Sequence, residues 1–469
     1  MKIIILGAGQ VGSSVLGSLA SEANDIVVID TQPAVLRDLQ DRYDISTVQG
    51  NAAHPTVLAK AGAAEADMLI AVTSDDETNM LACQVAGTLF KVPKKIARVR
   101  AIEYLSYPEI FGPNAISIDV VISPEQIVTR FIERLLEYPG ASQVLDFADG
   151  KVRLASVRAH RGGPLVGREI KELHQHMPNV HARITAIFRK GQPIIPNGKV
   201  IIEADDDVFF VASSEEIKDV MSELCEVDKP YKRLIFAGGG HIGKRVAQAL
   251  ENRYQVKVIE KNPRRAKKIA AELSNTVVLL GDASDKELLI SENIESTDVF
   301  CAITNEDEAN ILSAMLAKRL GARRVISLVN KSAYADIVDA SLVDLVISPQ
   351  QSTIGCLLRH VRKGDVVQVH SLRHGEAEAI EAIAHGTRGH SEIVGQRIDQ
   401  IKIPFGVVMG ALVRGEEVLQ VHHDTIIEDG DHVILFLHDK KLIRVVEKMF
   451  QASATPVITS PLPPPEEED

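Results

Sequence analysis

The feature that most constrains the fold of this 469-residue chain is an internal duplication. Four motifs occur in the first half and recur in the same order in the second half. They are GAGQVG and GGGHIG at 7–12 and 238–243, VQGNA and LLGDA at 48–52 and 279–283, AVTSDDETN and AITNEDEAN at 71–79 and 302–310, and VVISPEQ and LVISPQQ at 120–126 and 345–351. Four ordered matches exclude chance similarity. The first three pairs lie 231 residues apart, which is far longer than a solenoid repeat, so the chain is a duplicated multidomain unit.

Each copy begins with short apolar runs that alternate with helical segments. In the first copy the predicted strands are 2–6, 26–29, 45–48, 68–72 and 96–99. Continuous apolar strands separated by helices predict βαβ units and a parallel sheet that is buried on both faces. The later segments 151–212 and 367–437 are rich in Val, Ile and Gly turns, which predicts a small α+β domain with a hairpin. The fold class is therefore α/β: two tandem Rossmann-like, doubly wound parallel sheets, each followed by a small α+β C-terminal domain.

The domain boundaries follow from these changes of pattern. We expect parallel-sheet domains at 1–123 and 232–348, and small C-terminal domains at 143–227 and 368–453. The segment 454–469 is rich in prolines and acids and is expected to be disordered.

A helix follows each parallel sheet and has a clear start signal. Ser123 can cap it, Pro124 suits its first turn, and Gln126 can close a capping box. Ser348 and Pro349 repeat the signal in the second copy. The pattern leaves two alternatives open: the helix packs within its own domain, or it crosses to a neighbouring domain.

Composition narrows the class of protein. The net charge of −12 and the absence of a basic domain argue against nucleic-acid binding. No window holds the 18 to 20 apolar residues that would span a bilayer, and the apolar N-terminal run ends in glycines as a buried strand does. Four scattered cysteines form no Cys-x-x-Cys motif, and the histidines show no convincing metal spacing. We expect a cytoplasmic protein without a metal site.

The first glycine loop has the context of a nucleotide site, because it follows a strand and opens a helix. Its helix N-terminus and amides suit a pyrophosphate, and a carboxylate at the end of the second strand suits ribose hydroxyls. Polar residues at the ends of the next strands complete the candidate site. Its predicted residues are Gly7, Ala8, Gly9, Gln10, Val11, Gly12, Asp30, Asn51, Thr73, Ser74 and Arg98.

The second copy repeats the site with altered chemistry. Its predicted residues are Gly238, Gly239, Gly240, His241, Ile242, Gly243, Glu260, Asp282, Thr304 and Asn305. Lys261, Arg264 and Arg265 follow the acid, and they either accept phosphate or solvate a helix face. Ser327 is taken as the counterpart of Arg98, so the two sites are expected to differ in charge and ligand. The acids 75–77 and 306–308 are attributed to helix N-termini, which favour carboxylates.

No acid/base pair for hydride transfer is evident, and no substrate domain follows either sheet. The sequence therefore favours a ligand-sensing module without catalytic residues. An NAD-dependent oxidoreductase and a nucleotide-binding scaffold without a transport role are the alternatives.

Taken together, the motifs resemble a known family from residue 1 to about residue 451. GAGQVG, AVTSDDETN, SPEQ with EYPGA, the central KPYKR, LLGDASDKELL, AITNEDEANILSAMLAKR and EDGDHVILFL are similar to the TrkA family, tandem RCK (regulator of K⁺ conductance) proteins of bacterial Trk potassium uptake. The resemblance implies NAD(H) binding in the Rossmann lobes, with ATP or ADP as further ligands. It also implies a tetrameric ring on the cytoplasmic face of the inner membrane, bound to a potassium-translocating subunit of the TrkH or TrkG type, whose pore the nucleotide state gates.

Overall fold

The computed structural model describes residues 1–20, 24–112, 114–178, 180–225, 229–335, 338, 342–361, 365–372, 377–387, 391–419 and 421–451. The predicted tail 454–469 lies outside them. The chain forms two compact units, each assembled from both copies. One unit contains Met1–Arg130 and Lys232–Leu357, and the other contains Phe131–Tyr231 and the described residues from Leu358 onward. The domain boundaries given above stay a prediction.

The first parallel lobe is a six-stranded sheet in the order β3-β2-β1-β4-β5-β6. Its strands are β1 Lys2–Leu6, β2 Asp25–Asp30, β3 Ser46–Gln49, β4 Met68–Ala71, β5 Lys94–Arg98 and β6 Val120–Ile122. Its helices are α1 Gln10–Ala20, α2 Pro33–Arg42, α3 Pro55–Lys60, α4 Asp76–Leu89 and α5 Ile102–Leu105. All its strand pairs are parallel, as the continuous apolar runs predicted. The order reverses between β1 and β4, so the ends of these strands open a crevice there.

The second parallel lobe repeats this sheet in the order β14-β13-β12-β15-β16-β17. Its strands are β12 Arg233–Ala237, β13 Gln255–Glu260, β14 Val277–Leu280, β15 Val299–Ala302, β16 Arg324–Leu328 and β17 Leu345–Ile347. Its helices are α9 His241–Leu250, α10 Pro263–Glu272, α11 Lys286–Ser291, α12 Asp307–Arg319 and α13 Ser332–Ala335. Each parallel lobe buries its own apolar core between sheet and helices.

The helices that follow the two sheets are α6 Pro124–Glu137 and α14 Pro349–Val361. The amide of Gln350, in the first turn of α14, donates to the carbonyl of Gln10 at 2.7 Å and to the hydroxyl of Ser14. In the reciprocal contact, Arg245 of the second parallel lobe lies 3.5 Å from the hydroxyl of Ser123, just before α6. Each helix therefore begins against the opposite parallel lobe. Of the two alternatives left open by the sequence, the structure shows the one in which the helix reaches a neighbouring domain.

The C-terminal lobes are five-stranded antiparallel sheets, with the predicted Gly-turn hairpins β9–β10 and β20–β21. The first has β7 Ala141–Phe147, β8 Val152–Arg158, β9 Arg183–Arg189, β10 Gln192–Ile194 and β11 Asp207–Ser213, with α7 Glu172–His176 and α8 Ile217–Leu224. The second has β18 Val366–Leu372, β19 Ala377–Ile383, β20 Val407–Arg414, β21 Glu417–Leu419 and β22 His432–Leu437, with α15 Ile443–Met449. The two lobes share one apolar core, in which Phe147 and Phe209 of the first pack in the same cluster as Phe436 of the second.

Candidate functional site

The first glycine loop is held by contacts that no larger residue could make. Gly7 has φ +95°, and a Cβ there would lie 2.9 Å from the Cα of Thr73. A Cβ on Gly12 would lie 1.9 Å from the carbonyl oxygen of Gly7. A Cβ on Gly9, by contrast, would meet nothing within 4 Å. Two glycines thus fix the loop against strand and helix, and the middle one leaves open space that a pyrophosphate requires.

A cavity of about 500 Å³ opens at the carboxyl ends of the strands above this loop. The predicted residues that line it are Gly7, Ala8, Gly9, Gln10, Val11, Asp30, Asn51, Thr73, Ser74 and Arg98. Gly12 is not among the lining residues, because it lies beneath the loop and supports it. The structure therefore brings ten of the eleven residues predicted for this site to one cavity, whose volume is in the usual range for small-molecule sites.

Asp30 joins the end of β2 to the glycine loop. One of its carboxylate oxygens accepts from the backbone N–H of Ala8 at 2.7 Å, and the other accepts from that of Gln32 at 2.9 Å. Each oxygen keeps lone pairs beyond these bonds, since a carboxylate offers about four acceptor sites. Asp30 is only half-buried and lines the cavity, so it can accept further hydrogen bonds from hydroxyl groups of a ligand.

Arg98 brings a positive charge to the far end of the same cavity, at the end of β5. Its Nε is buried and has no hydrogen-bond partner within the described part of the chain. Burial lowers the pKa of this guanidinium, and the like charge of Arg100 lowers it further. Arg100 itself pairs with Asp76 at 3.3 Å. The cavity thus contains a guanidinium whose Nε has no hydrogen-bond partner among the described residues, while the carboxylates of Glu125 and Asp76 partly offset the lowering of its pKa.

Asn79 is a site residue that the sequence reasoning missed. Its side-chain oxygen accepts from the backbone N–H of Thr73 at 3.0 Å and from its hydroxyl at 2.7 Å. Its amide donates to the carbonyl of Arg98 at 3.0 Å. Asn310 makes the same bonds to Thr304 and Leu328. The available signal was the recurrence of Asn as the last residue of both copies of the AVTSDDETN motif.

The acids that precede Asn79 do more than favour a helix N-terminus. Asp75 caps α4 through the N–H and hydroxyl of Thr78, and these bonds lower the pKa of the Asp75 carboxyl. Asp76 is buried and accepts from the backbone N–H groups of Arg100 and Ala101. In the second lobe, Asp307 accepts from the N–H groups after β16 in the same way. These buried acids hold the loop beyond the fifth strand, a role that the sequence interpretation did not include.

The second glycine loop has the same backbone geometry. Gly238 has φ +112°, a Cβ on Gly243 would lie 1.9 Å from the carbonyl of Gly238, and Gly240 faces open space. The side chain of Asp282 is bonded to Ser284, and Thr304 is held by Asn310, so both remain at the carboxyl ends of their strands as predicted. Asn305 follows Thr304 and is exposed.

The acid of the second site is more enclosed than Asp30. Glu260 is only 3% exposed and accepts from the N–H of Gly239 at 2.9 Å. Arg265 approaches the same carboxylate oxygen at 3.4 Å. Lys261 pairs with Glu306 at 2.9 Å, which connects the segment after β13 to the segment after β15. Two of the cations that follow Glu260, Lys261 and Arg265, therefore contact protein carboxylates.

The sheet register corrects the predicted counterpart of Arg98. Ala71 pairs with Ala97 in the first lobe, and its equivalent Ala302 pairs with Ser327 in the second. Ser327 therefore matches Ala97, and the residue that matches Arg98 is Leu328, which is buried. Because α4 has 14 residues and α12 has 13, the offset between the copies falls from 231 before these helices to 230 after them, which places Leu328 opposite Arg98. The expected difference in charge stands, with an apolar side chain in place of a hydroxyl.

Within the described ranges, no group of three or more His, Cys, Asp or Glu side chains is arranged to hold a metal ion. No helix among these residues has both the length and the apolar character needed to cross a bilayer.

Comparisons with known proteins agree with the duplicated architecture. The TrkA-N domain model matches residues 3–124 and 234–349, and the TrkA-C domain model matches 154–224. The chain is 55% identical to the Trk system potassium uptake protein TrkA of Vibrio alginolyticus, over 97% of this chain and 99% of that protein. It is also 55% identical to the protein of the same name from Halomonas elongata, over 97% of this chain and 100% of the relative.

Solved structures with the same fold are more distant in sequence. The GsuK RCK domain superposes with a TM-score of 0.61 at 18% identity, covering 96% of this chain and 94% of that one. The GsuK channel bound to NAD gives the same score and identity, and covers 95% of this chain and 78% of that one. At this identity the likeness establishes the RCK fold.

Proposed function

This chain belongs to the TrkA family of Trk system potassium uptake proteins, and on that premise we propose that it senses nucleotides in its two parallel lobes and transmits their binding state to a membrane transporter. It is a regulatory subunit of potassium uptake, built from two RCK units. The observation that carries the nucleotide proposal is the first cavity, which joins an open glycine loop, a half-buried carboxylate and a guanidinium whose Nε has no partner among the described residues.

The residues of this cavity fit NAD(H) and adenine nucleotides. The N–H groups of the loop and the start of α1 would hold the phosphates, for which Gly9 leaves space. Asp30 would accept from ribose hydroxyls, and Thr73 and Ser74 offer hydroxyls beyond the phosphates. NAD is bound by the GsuK channel, which shares the fold. The second lobe would use Gly238 to Gly243, Glu260, Asp282, Thr304 and Asn305 in the equivalent way.

The cavity favours binding over chemistry. Among the described residues that line it, the ionisable groups are Asp30, Asp75 and Arg98, and there is no His, Lys, Tyr or Cys. Asp30 and Asp75 are both engaged by backbone N–H groups. Hydride transfer to a substrate requires an acid/base group beside the nicotinamide. We therefore propose a regulator without an enzymatic reaction, in preference to an oxidoreductase.

The contact between the parallel lobes could couple ligand binding to the arrangement of these lobes. Gln350 of the second lobe donates to the carbonyl of Gln10, which belongs to the first glycine loop. A ligand that fits this loop better in one arrangement of the lobes than in another shifts the population toward that arrangement. Regulation of the transporter then requires only this difference in affinity.

We propose that the chain acts as a tetrameric ring on the cytoplasmic face of the inner membrane, bound to a potassium-translocating subunit of the TrkH or TrkG type. The duplicated helices α4 and α12 support self-association. Leu81 on α4 is 53% exposed, and Leu312, at the same position of α12, is 61% exposed. Exposed leucines at matching positions of both lobes suit a repeated apolar contact between copies.

The proposal is tested by thermal unfolding of the full-length chain with NADH or ATP. A ligand that binds only the native state raises the melting temperature, Tm. We expect both nucleotides to raise Tm and Asp30→Ala to reduce the NADH effect by the contribution of the first lobe, because it removes the ribose acceptor of that lobe. Asp38→Ala, an exposed carboxylate of α2, is the matched control and should leave the effect intact.

A Tm that neither nucleotide changes would contradict nucleotide sensing. The transport role is tested separately, by purifying the chain from membranes with and without NADH. A Trk membrane subunit should be recovered with it, and its absence under both conditions would contradict the proposed partner.

A further inference from the structure

Arg98 is a half-buried cation that lines the first cavity, and its buried Nε has no hydrogen-bond partner among the described residues. A buried N–H without an acceptor is unfavourable, since the hydrogen bond to water that it loses is not replaced. Its neighbour Arg100 does not relieve it, because Arg100 has the same sign and is engaged by Asp76. An anionic group of a ligand would supply the missing partner.

The order of the strands fixes the part of a ligand that Arg98 would meet. Asp30 ends β2, the glycine loop follows β1, and Arg98 ends β5, which is two strands beyond β1. Neighbouring strands are about 4.8 Å apart, so the end of β5 is on the order of 10 Å from the loop. A nucleotide with its ribose on Asp30 and its phosphates on the loop would extend its far end toward Arg98.

The second lobe has no charge at this position. Leu328 ends β16 as Arg98 ends β5, and it is 2% exposed. Its carbonyl receives the amide of Asn310, just as the carbonyl of Arg98 receives that of Asn79. The backbone is therefore equivalent in both lobes, and only the side chain differs.

We propose that Arg98 and Leu328 are specificity-determining residues, through which the two lobes respond to different nucleotides. This inference rests on the nucleotide-binding function proposed above. Beyond its first two phosphates, ATP carries a negative γ-phosphate, NADH a neutral ring and NAD⁺ a positively charged ring. We expect the affinity of the first lobe to decrease in the order ATP, NADH, NAD⁺. The positive charge of Arg98 attracts the γ-phosphate of ATP, is indifferent to the neutral ring of NADH and repels the charged ring of NAD⁺. Leu328 is uncharged, so the residue at this position of the second lobe does not distinguish the three nucleotides by their charge.

The test isolates each lobe in the full-length chain. Gly240→Asp disables the second lobe, because the Cβ at this position faces the open space and an added carboxylate would repel phosphates. Gly9→Asp disables the first lobe by the same argument. Isothermal titration then gives the dissociation constants of ATP, NADH and NAD⁺ for each lobe.

In the Gly240→Asp background we expect ATP to bind most tightly and NAD⁺ most weakly. Arg98→Leu should weaken ATP binding about ten-fold or more, which corresponds to a lost hydrogen bond to a charged group, and should change NADH binding by less than about three-fold. Arg98→Lys keeps the charge and should keep the order. Leucine is the residue of the second lobe at this position, so the variant is expected to fold, and its Tm checks this.

Two results would overturn the inference. Arg98→Leu could weaken all three ligands equally, which would place Arg98 on the pyrophosphate that they share. The second lobe, measured in the Gly9→Asp background, could rank the three ligands as the first lobe does. If the wild-type chain binds none of them, nucleotide sensing itself is contradicted, and that is evident before any variant is made.

Discussion

The two parallel lobes have the same scaffold and different charges. The glycines that pack the loop, the asparagine that clamps the fourth and fifth strands, and the buried acid that holds the following loop are present in both. The cations are not. The first lobe places Arg98 at the end of β5 and Arg100 just after it, whereas the second places Lys261 and Arg265 after β13.

The difference teaches which positions the backbone constrains. A glycine whose Cβ would meet a carbonyl oxygen at 1.9 Å cannot vary without moving the loop, and it is glycine in both lobes. Side chains that point into a cavity contact ligand or solvent, so they can diverge without loss of the fold. Divergence at these positions is how a duplicated binding domain acquires a second specificity.

The largest expected effect comes from a substitution that disrupts the packing of the glycine loop, which both lobes share. Gly12→Ala places a methyl group against the carbonyl of Gly7, so the loop and α1 must separate. We expect the free energy of unfolding of the first parallel lobe to fall by about 3 kcal/mol or more, together with loss of nucleotide binding. Urea denaturation and the NADH-induced change in Tm measure the two effects.

Gly9→Ala is the matched control, since its methyl group meets nothing within 4 Å. It should retain stability and weaken only nucleotide binding. Equal destabilisation by both variants would show that the two glycines do not have separate roles.

An intermediate effect on stability is expected from the asparagines that join the ends of the fourth and fifth strands, Asn79 and Asn310. Asn79→Ala leaves the partly buried N–H of Thr73 and carbonyl of Arg98 without their partner. We expect a loss of about 2–4 kcal/mol in the free energy of unfolding, and a similar loss from Asn310→Ala, because the bonds are the same. Denaturant titration of both variants tests the equivalence.

Ser74→Ala, at an exposed position of the same loop, is the control and should change the free energy of unfolding little. A cost for Asn310→Ala far below that of Asn79→Ala would contradict a common scaffold.

The smallest effect concerns the cations peculiar to the second lobe. Lys261→Thr copies Thr31 of the first lobe and removes the ion pair with Glu306. Both partners are more than 60% exposed, so the free energy of unfolding should change by less than about 1 kcal/mol, and less in high salt. Denaturant titration at low and high ionic strength measures it. A larger, salt-independent loss would mean that the pair is structural.

Much of the fold was predictable because the relevant signals are local. Alternating apolar runs and helical segments indicated parallel sheets, and the strand order confirmed them. The first candidate site was also predictable, since the carboxyl ends of parallel strands meet at one edge of a sheet. Asn79 and Asp76 were not recognised because their partners, the backbone groups around Arg98 and Arg100, are 19 to 25 residues away and meet them only in the folded lobe.

A compensating exchange was likewise hidden from the sequence. Gly239 stands where the first lobe has Ala8, and a Cβ there would lie 2.5 Å from the Cδ1 of Ile269. The isoleucine on α10 fills the space of the missing methyl group. Each residue looks unremarkable alone, and only their packing explains the pair.

The sequence by itself determined the duplication, the class of fold, the two glycine loops and the acids that accompany them, because each depends on residues close together in the chain or on exact repetition. The tertiary structure decided which residues are equivalent across the lobes. It assigned Leu328 rather than Ser327 to the position of Arg98, since hydrogen-bond register counts residues along strands and ignores a residue lost from a helix. It also decided that the helices after the sheets begin against the opposite lobe, because an apolar face indicates burial but does not identify its partner.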